Sequence, residues 1–141
     1  MKKLLYLFIA TTLLISCESN EDEEDMSNSD PIIGTWQLES AEINDEEFST
    51  ECEKQTTVTF LENGVVNAIS FFEDNNGCES ETETSSWRKI SDSIYRITYD
   101  TEDEFEDINL IFSQNNTIFT ISVSETFDGM TFTSVITYKK I

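Results

Sequence analysis

Histidine is absent from the 141 residues of this sequence. Histidine is the commonest general base, the partner in Ser–His and Cys–His nucleophile pairs, and the commonest zinc ligand, so those active sites and metal centres are excluded. Carboxylate-only chemistry of the glycosidase kind remains open, but no pair stands out among so many acids. We therefore expect a protein that is not an enzyme and that carries no cofactor or metal.

Basic residues are also scarce. Eight lysines and arginines stand against 29 aspartates and glutamates, which gives a formal net charge of −21. Such a surface repels phosphate backbones and anionic headgroups, so we expect no nucleic-acid partner. A high negative charge more often serves solubility than a binding site.

Long apolar runs are missing after the first 16 residues. Leu4–Ile15 is an apolar segment of 12 residues behind Lys2 and Lys3. This pattern matches a secretory signal peptide, and it is too short for a spanning helix, which needs roughly 20 residues. Residues 14–17, LISC, resemble the lipobox of bacterial lipoproteins, whose cysteine is acylated; the alternative is an ordinary signal peptide with a chance cysteine.

The lipobox resemblance divides the chain into three parts: a signal peptide at 1–16, an acidic tether at 17–31 that begins with acylated Cys17, and a folded domain at 32–141. A diacylglyceryl group, usually with a further chain such as palmitate, would anchor Cys17 to a membrane, because two or more acyl chains hold a protein stably. The expected location is the cell envelope, at the outer membrane. The acids at 21–25 are either an address for export to the cell surface or a solvated tether only.

Cysteine is limited to two residues after Cys17. In an exported protein such an even pair predicts a disulfide, here between Cys52 and Cys78. On the chain-entropy model its closed loop would stabilise the fold by roughly 3–4 kcal/mol.

Proline and glycine are few, and no segment after Pro31 has helical periodicity over more than a few residues. Asn, Asp and Gly turn signals instead separate eight runs rich in Val, Ile, Thr, Phe and Tyr, which predicts an all-β domain that closes as a barrel or sandwich. The predicted strands are 34–43, 55–62, 65–73, 82–90, 93–100, 105–113, 117–126 and 130–140.

The hairpin register can be predicted for the second and third strands. If Asn63 and Gly64 are the two turn residues, Phe60 faces Asn67 across the hairpin. The same register pairs Val58 with Ile69 and Thr56 with Phe71.

The first strand opens with Gly34-Thr35-Trp36. This G-x-W, with the strand count, the cysteine placement and the lipobox, resembles the lipocalins and especially the short lipocalin-like lipoproteins of Bacteroidetes. The resemblance implies an eight-stranded antiparallel up-and-down barrel with Trp36 across its closed end and a ligand entrance at the other. An arginine of the last strand often packs on that tryptophan in lipocalins, whereas the last strand here offers only Lys139 and Lys140.

Function is the least determined part. The first hypothesis is a module that binds a small hydrophobic or amphipathic ligand in the barrel, and the candidate ligand-binding residues are Trp36, Phe60, Asn67, Phe71, Trp87, Tyr95, Phe119 and Phe132. The alternative is that these rings simply fill the core, as aromatic residues in a small domain usually do, in which case the protein would be an interaction or structural lipoprotein that uses its surface. The oligomeric state stays open.

Two charged segments suggest weaker alternatives. Asp100–Asp107 contains six acids in eight residues and could bind calcium, although a solvated loop is commoner. Arg88, Lys89 and Arg96 could receive an anionic ligand, or they could offset neighbouring carboxylates.

Overall fold

The computed structural model describes residues 29–99 and 104–141. The signal peptide, Cys17 and most of the tether predicted at 17–31 lie outside the described residues, as does the first half of the acidic stretch at 100–107. No helix within the described ranges is long and apolar enough to cross a membrane.

Nine antiparallel strands and one 3-10 turn make up the described part of the chain. The 3-10 turn is Glu53–Gln55. The strands are β1 Gly34–Ile43, β2 Glu46–Glu47, β3 Thr57–Phe60, β4 Val65–Asp74, β5 Gly77–Lys89, β6 Ile94–Thr98, β7 Phe105–Ser113, β8 Ile118–Phe127 and β9 Met130–Lys140.

The strands form one closed sheet. From β3 to β9 each strand pairs with the next in sequence, β1 pairs with β3, and β9 returns to pair with β1. The two residues of β2 only extend β1 through a hairpin. The predicted eight-stranded antiparallel barrel is confirmed, and three predicted strands, 34–43, 105–113 and 130–140, have the bounds of β1, β7 and β9.

The turn chemistry explains how short connections suffice. Asn44 and Asp45 after β1, and Asp128 and Gly129 between β8 and β9, all have φ between 49° and 79°. Positive φ at both central residues defines the type I′ turn, whose twist matches that of the flanking strands. These residue types reach such angles with little strain.

β5 begins at Gly77, five residues before the predicted strand. Its first half, GCESETET, is polar and almost wholly exposed, so it lacks the apolar alternation that marks a strand in sequence. Backbone pairing with β4, which runs without interruption from Asp74–Gly77 to Val65–Ser86, supplies the order instead. The β4–β5 hairpin is therefore longer than its side chains indicate.

The predicted register of the β3–β4 hairpin is wrong by one residue. Phe60 faces Val66, and Val58 faces Ala68. The loop has three residues instead of two: Leu61 N donates to Val65 O at 2.9 Å, and Gly64 takes the left-handed conformation at φ 81°. A one-residue shift moves a side chain to the other face of the sheet.

The connection between β1 and β3 takes the place of a strand at the end of the barrel away from Trp36, the upper end. β3 has only four residues, so it does not reach the upper parts of β1 and β4. Phe48 N donates to Ala41 O at 2.9 Å on the β1 side, and Phe71 N donates to Thr56 Oγ1 at 2.9 Å on the β4 side. The predicted disulfide is present and joins Cys52, in this connection, to Cys78 at the start of β5.

The barrel seam at Gly34 shows why glycine precedes Thr35-Trp36. Lys140 of β9 lies across Trp36 with its Nζ 5.0 Å from the ring centroid, a cation–π contact, and donates to Pro31 O at 3.3 Å. A Cβ on Gly34 would lie 2.6 Å from Lys140 Cε, and Gly34 has φ 132°. A lysine thus occupies the place that the resemblance gives to an arginine.

We predict that Gly34→Ala lowers the free energy of unfolding by about 2 kcal/mol, because it adds backbone strain and displaces Lys140 from Trp36. Urea unfolding measures the change. In a Lys140→Ala background the penalty should fall, since only the strain remains. Gly129→Ala is the matched control, because Gly129 also has positive φ but no atom near its missing Cβ. Equal penalties at Gly34 in both backgrounds would contradict the contact.

Candidate functional site

The lower end of the barrel is sealed by aromatic side chains and by the segment that leads into β1. Ile32 and Trp36 are fully buried, and Trp36 Nε1 donates to Ile32 O at 2.7 Å. The Trp36 ring meets Phe119 edge-on, with centroids 4.6 Å apart, and Leu110 fills the space beside them. No path for a ligand runs through such a close-packed layer.

A hydrogen bond and an ion pair hold the same segment in place. The hydroxyl of Tyr95, a fully buried residue, donates to Asp30 Oδ1 at 2.6 Å, and Lys89 Nζ lies 3.0 Å from Asp30 Oδ2. Burial raises the pKa of Asp30, but the hydrogen bonds from Tyr95 and the Ile32 N–H and the charge of Lys89 outweigh this effect, so the pKa of Asp30 is lower than that of a free aspartate. Burial and Asp30 raise the pKa of Tyr95, which keeps its hydroxyl a donor.

A cavity of about 230 Å³ lies above this base. Its wall is mostly apolar. The aliphatic and aromatic residues of the wall are Val58, Phe60, Val66, Ala68, Ile97, Ile108, Phe119, Ile121 and Tyr138. Small-molecule sites usually span roughly 300–1,000 Å³, so this one suits a small ligand. Four further residues of the wall can offer polar atoms: Glu83, Ser85, Tyr99 and Glu106.

The cavity opens at the end away from Trp36. Backbone pairing between β7 and β8 stops at Leu110 and Ile121. Above the cavity floor these two strands are therefore not hydrogen-bonded to each other. Tyr99 is 38% exposed, and its hydroxyl donates to Glu106 Oε2 at 3.2 Å. Burial first, and then the charge of Glu106, raise the pKa of Tyr99. The Tyr99 hydroxyl and the Glu106 carboxylate therefore lie beside the opening of the cavity.

The structure brings together only some of the candidate ligand-binding residues. Phe60 and Phe119 line the cavity floor. Trp36 and Tyr95 belong to the sealed base beneath it. Trp87 packs edge-on against Phe60 at 5.9 Å and donates its Nε1 hydrogen to Leu61 O, which makes it part of the core.

The other three candidates lie off the cavity wall. Asn67 is on the outer face, where Thr84 Oγ1 donates to its Oδ1 at 2.9 Å; the one-residue error in register had placed it inside. Phe71 lines a separate groove beside Phe48 of the β1–β3 connection. Phe132 is 41% exposed near the tip of the β8–β9 hairpin.

Sequence reasoning missed the polar part of the wall. Ser85 pairs with Val66 and Glu83 pairs with Ala68, so both share a face with cavity residues of β4. Glu106 pairs with Ile97 in the same way. The alternation along β5 and β7 carries this signal, but it becomes legible only when the register is known.

Two of the three charged candidates have carboxylate partners: Lys89 binds Asp30 at the base, and Arg96 binds Asp107 on the outside of the barrel. Arg96 binds Asp107 through two hydrogen bonds of 2.6 and 2.7 Å and stacks 3.9 Å from the Phe105 ring centroid. Offsetting a carboxylate is therefore what Arg96 does here. Within residues 29–99 and 104–141, no group of three or more Asp, Glu or Cys side chains could hold a metal ion.

The fold and the one-ended cavity define a class of protein, an up-and-down β-barrel with room for one small ligand. A family model described as a lipocalin-like domain matches residues 32–121, and the chain belongs to that family. A search of curated protein sequences finds no match.

A search of solved structures finds matches of low sequence identity. Bovine odorant-binding protein, in complex with its natural ligand, is 15% identical with a TM-score of 0.46, and the match covers 81% of this chain and 74% of that one. The possum milk whey lipocalin trichosurin, with bound 4-ethylphenol, is 14% identical with a TM-score of 0.45, over 75% and 73% of the two chains.

We predict that Asp30→Asn destabilises the protein by about 2 kcal/mol at pH 7, because a charged hydrogen-bond acceptor at the base is lost. Since the folded-state pKa of Asp30 is lowered, its contribution is complete above the unfolded value near 3.9 and disappears as the pH falls through the folded value. Urea unfolding of both proteins between pH 3 and 7 should show the gap closing below about pH 4. Asp92→Asn, at an exposed neighbouring loop, is the control, and a gap independent of pH would contradict the assignment.

Proposed function

We propose that this protein is a cell-envelope lipoprotein, of the short lipocalin-like type seen in Bacteroidetes, whose barrel binds a small hydrophobic or amphipathic ligand. The one-ended cavity carries the proposal. Its floor is apolar at Phe60 and Phe119, and its wall has a few polar groups, among them Ser85 and Tyr99. An apolar pocket with a few convergent polar groups is the usual form of a small-molecule site.

Binding is favoured over catalysis. The sequence has no histidine, so the cavity wall cannot contain a Ser–His or Cys–His pair. A filled barrel with no ligand is disfavoured by the open volume of about 230 Å³, room for roughly eight water-sized groups.

A second function, contact with another protein, is supported by the tip of the β8–β9 hairpin. Phe127 is 76% exposed and Met130 58% exposed. Exposed apolar patches often mark interaction sites. Capture of the same partner from outer-membrane extracts by proteins with open and with blocked cavities would favour this function over ligand binding.

We predict that a neutral hydrophobic dye, N-phenyl-1-naphthylamine, binds the wild-type domain. Ala68→Phe should reduce the affinity for the dye at least tenfold, because the added phenyl ring fills the cavity. Fluorescence titration measures the binding. Ile69→Phe is the matched control: it adds bulk on the same strand, but on the outer face, where Ile69 is 40% exposed. Absence of dye binding to the wild type, or equal binding by all three proteins, would contradict the proposed ligand site.

We also predict that Cys17→Ser moves the protein from the membrane fraction to the soluble fraction, because the acyl anchor is lost. Incorporation of a labelled palmitate analogue, followed by fractionation, measures the change. The Cys52→Ser/Cys78→Ser variant keeps Cys17 and should still be labelled. Persistent labelling of Cys17→Ser would contradict the anchor, and antibody access on intact cells separates surface export from a simple tether.

A further inference from the structure

The cavity mouth carries negative charge on one side. Glu83 of β5 and Glu106 of β7 both line the cavity. Strand alternation places Glu79 and Glu81 on the same face of β5, farther from the base. Tyr99 donates to Glu106 at 3.2 Å and so orients that carboxylate beside the cavity.

No basic side chain of the described residues lines this cavity. Lys89 and Lys140 are engaged at the opposite end, with Asp30 and Trp36. Lys54 pairs with Glu47 in the β1–β3 connection, and Arg96 pairs with Asp107 on the outer face. The carboxylates at the mouth therefore lack a counter-charge from the part of the chain that the structure describes.

The part of the wall formed by β8 and β9 is apolar, and its apolar face continues along the β8–β9 hairpin. Phe119 and Ile121 line the cavity, and the unbroken β8–β9 register puts Val123, Phe127 and Phe132 on the same face. Glu125 is the one acid on this face of β8. The other face of the hairpin carries mainly serine and threonine, so the apolar side is a distinct surface.

We propose that the cavity takes a small amphipathic cation, an alkylammonium whose head lies between Glu83 and Glu106 and whose hydrocarbon body lies on Phe60 and Phe119. This inference rests on the proposed ligand-binding function. Apolar burial favours any small hydrocarbon, but uncompensated carboxylates favour a positive head and disfavour an anionic one. An alkylammonium of about eight carbons suits the size of the cavity.

Isothermal titration with three probes of equal chain length, octylammonium, octanoate and 1-octanol, tests the proposal. A primary ammonium is charged at neutral pH, as lysine is. We expect octylammonium to bind about tenfold more tightly than octanol and octanoate more weakly than octanol, with only the cation weakened by added salt. Tenfold corresponds to about 1.4 kcal/mol.

Charge-matched variants locate the effect. In Glu83→Gln/Glu106→Gln, octylammonium should bind no more tightly than octanol, and octanol should bind as it does to the wild type. Glu39→Gln/Glu62→Gln removes two exposed acids outside the cavity and should keep the preference, which separates local recognition from the net charge of the chain.

The outcomes distinguish the two proposals. If octanol binds but octylammonium has no advantage, or if its advantage survives in Glu83→Gln/Glu106→Gln, the cation site is wrong and the hydrophobic site stands. If neither octanol nor octylammonium binds, the proposed ligand-binding function fails and the cation site fails with it.

Discussion

The contact of Trp36 with its neighbours is the constraint on which the barrel depends. Its indole N–H holds Ile32, its ring meets Phe119 of β8, and Lys140 of β9 lies across it. One side chain of β1 thereby joins the entering segment to the two strands that close the sheet. The backbone ladder between β1 and β9 closes the sheet and removes the edges that would otherwise be unpaired, and the buried indole next to that ladder forms the base of the cavity.

The two ends of the barrel differ because this packing is confined to one of them. Below the cavity, fully buried Tyr95 and Leu110 complete a dry layer. Above it, β3 is short, β7 and β8 separate, and residues 44–56 serve as part of the wall. The disulfide between Cys52 and Cys78 ties that connection to the β4–β5 hairpin. A sealed base with an opening above it follows from these unequal strand lengths.

Strand positions could be predicted from the sequence because alternation and turn residues are local signals. Exposed β5 residues escaped prediction, since their order comes from pairing with β4. The register of the β3–β4 hairpin depended on the length of one loop. This loop has three residues instead of two, with Gly64 in the left-handed conformation, and so Val66 lies inside the barrel and Asn67 outside. The site shared that error, because one residue of shift exchanges the two faces of a strand. The positions of Glu83 and Glu106 at the cavity could not be predicted for the same reason.

The many acids of this chain have two different physical settings, and only the register separates them. On the outer face a carboxylate such as Asp107 finds Arg96, and elsewhere acids face water, where they favour solubility. Glu83 and Glu106 are exposed as well, but they line an apolar cavity with no basic side chain in its described wall. Composition alone does not distinguish one acid from another, whereas the face of the strand on which each acid lies places these two at the mouth of the cavity. The position of these two carboxylates at the cavity is therefore a consequence of how β4, β5, β6 and β7 are aligned.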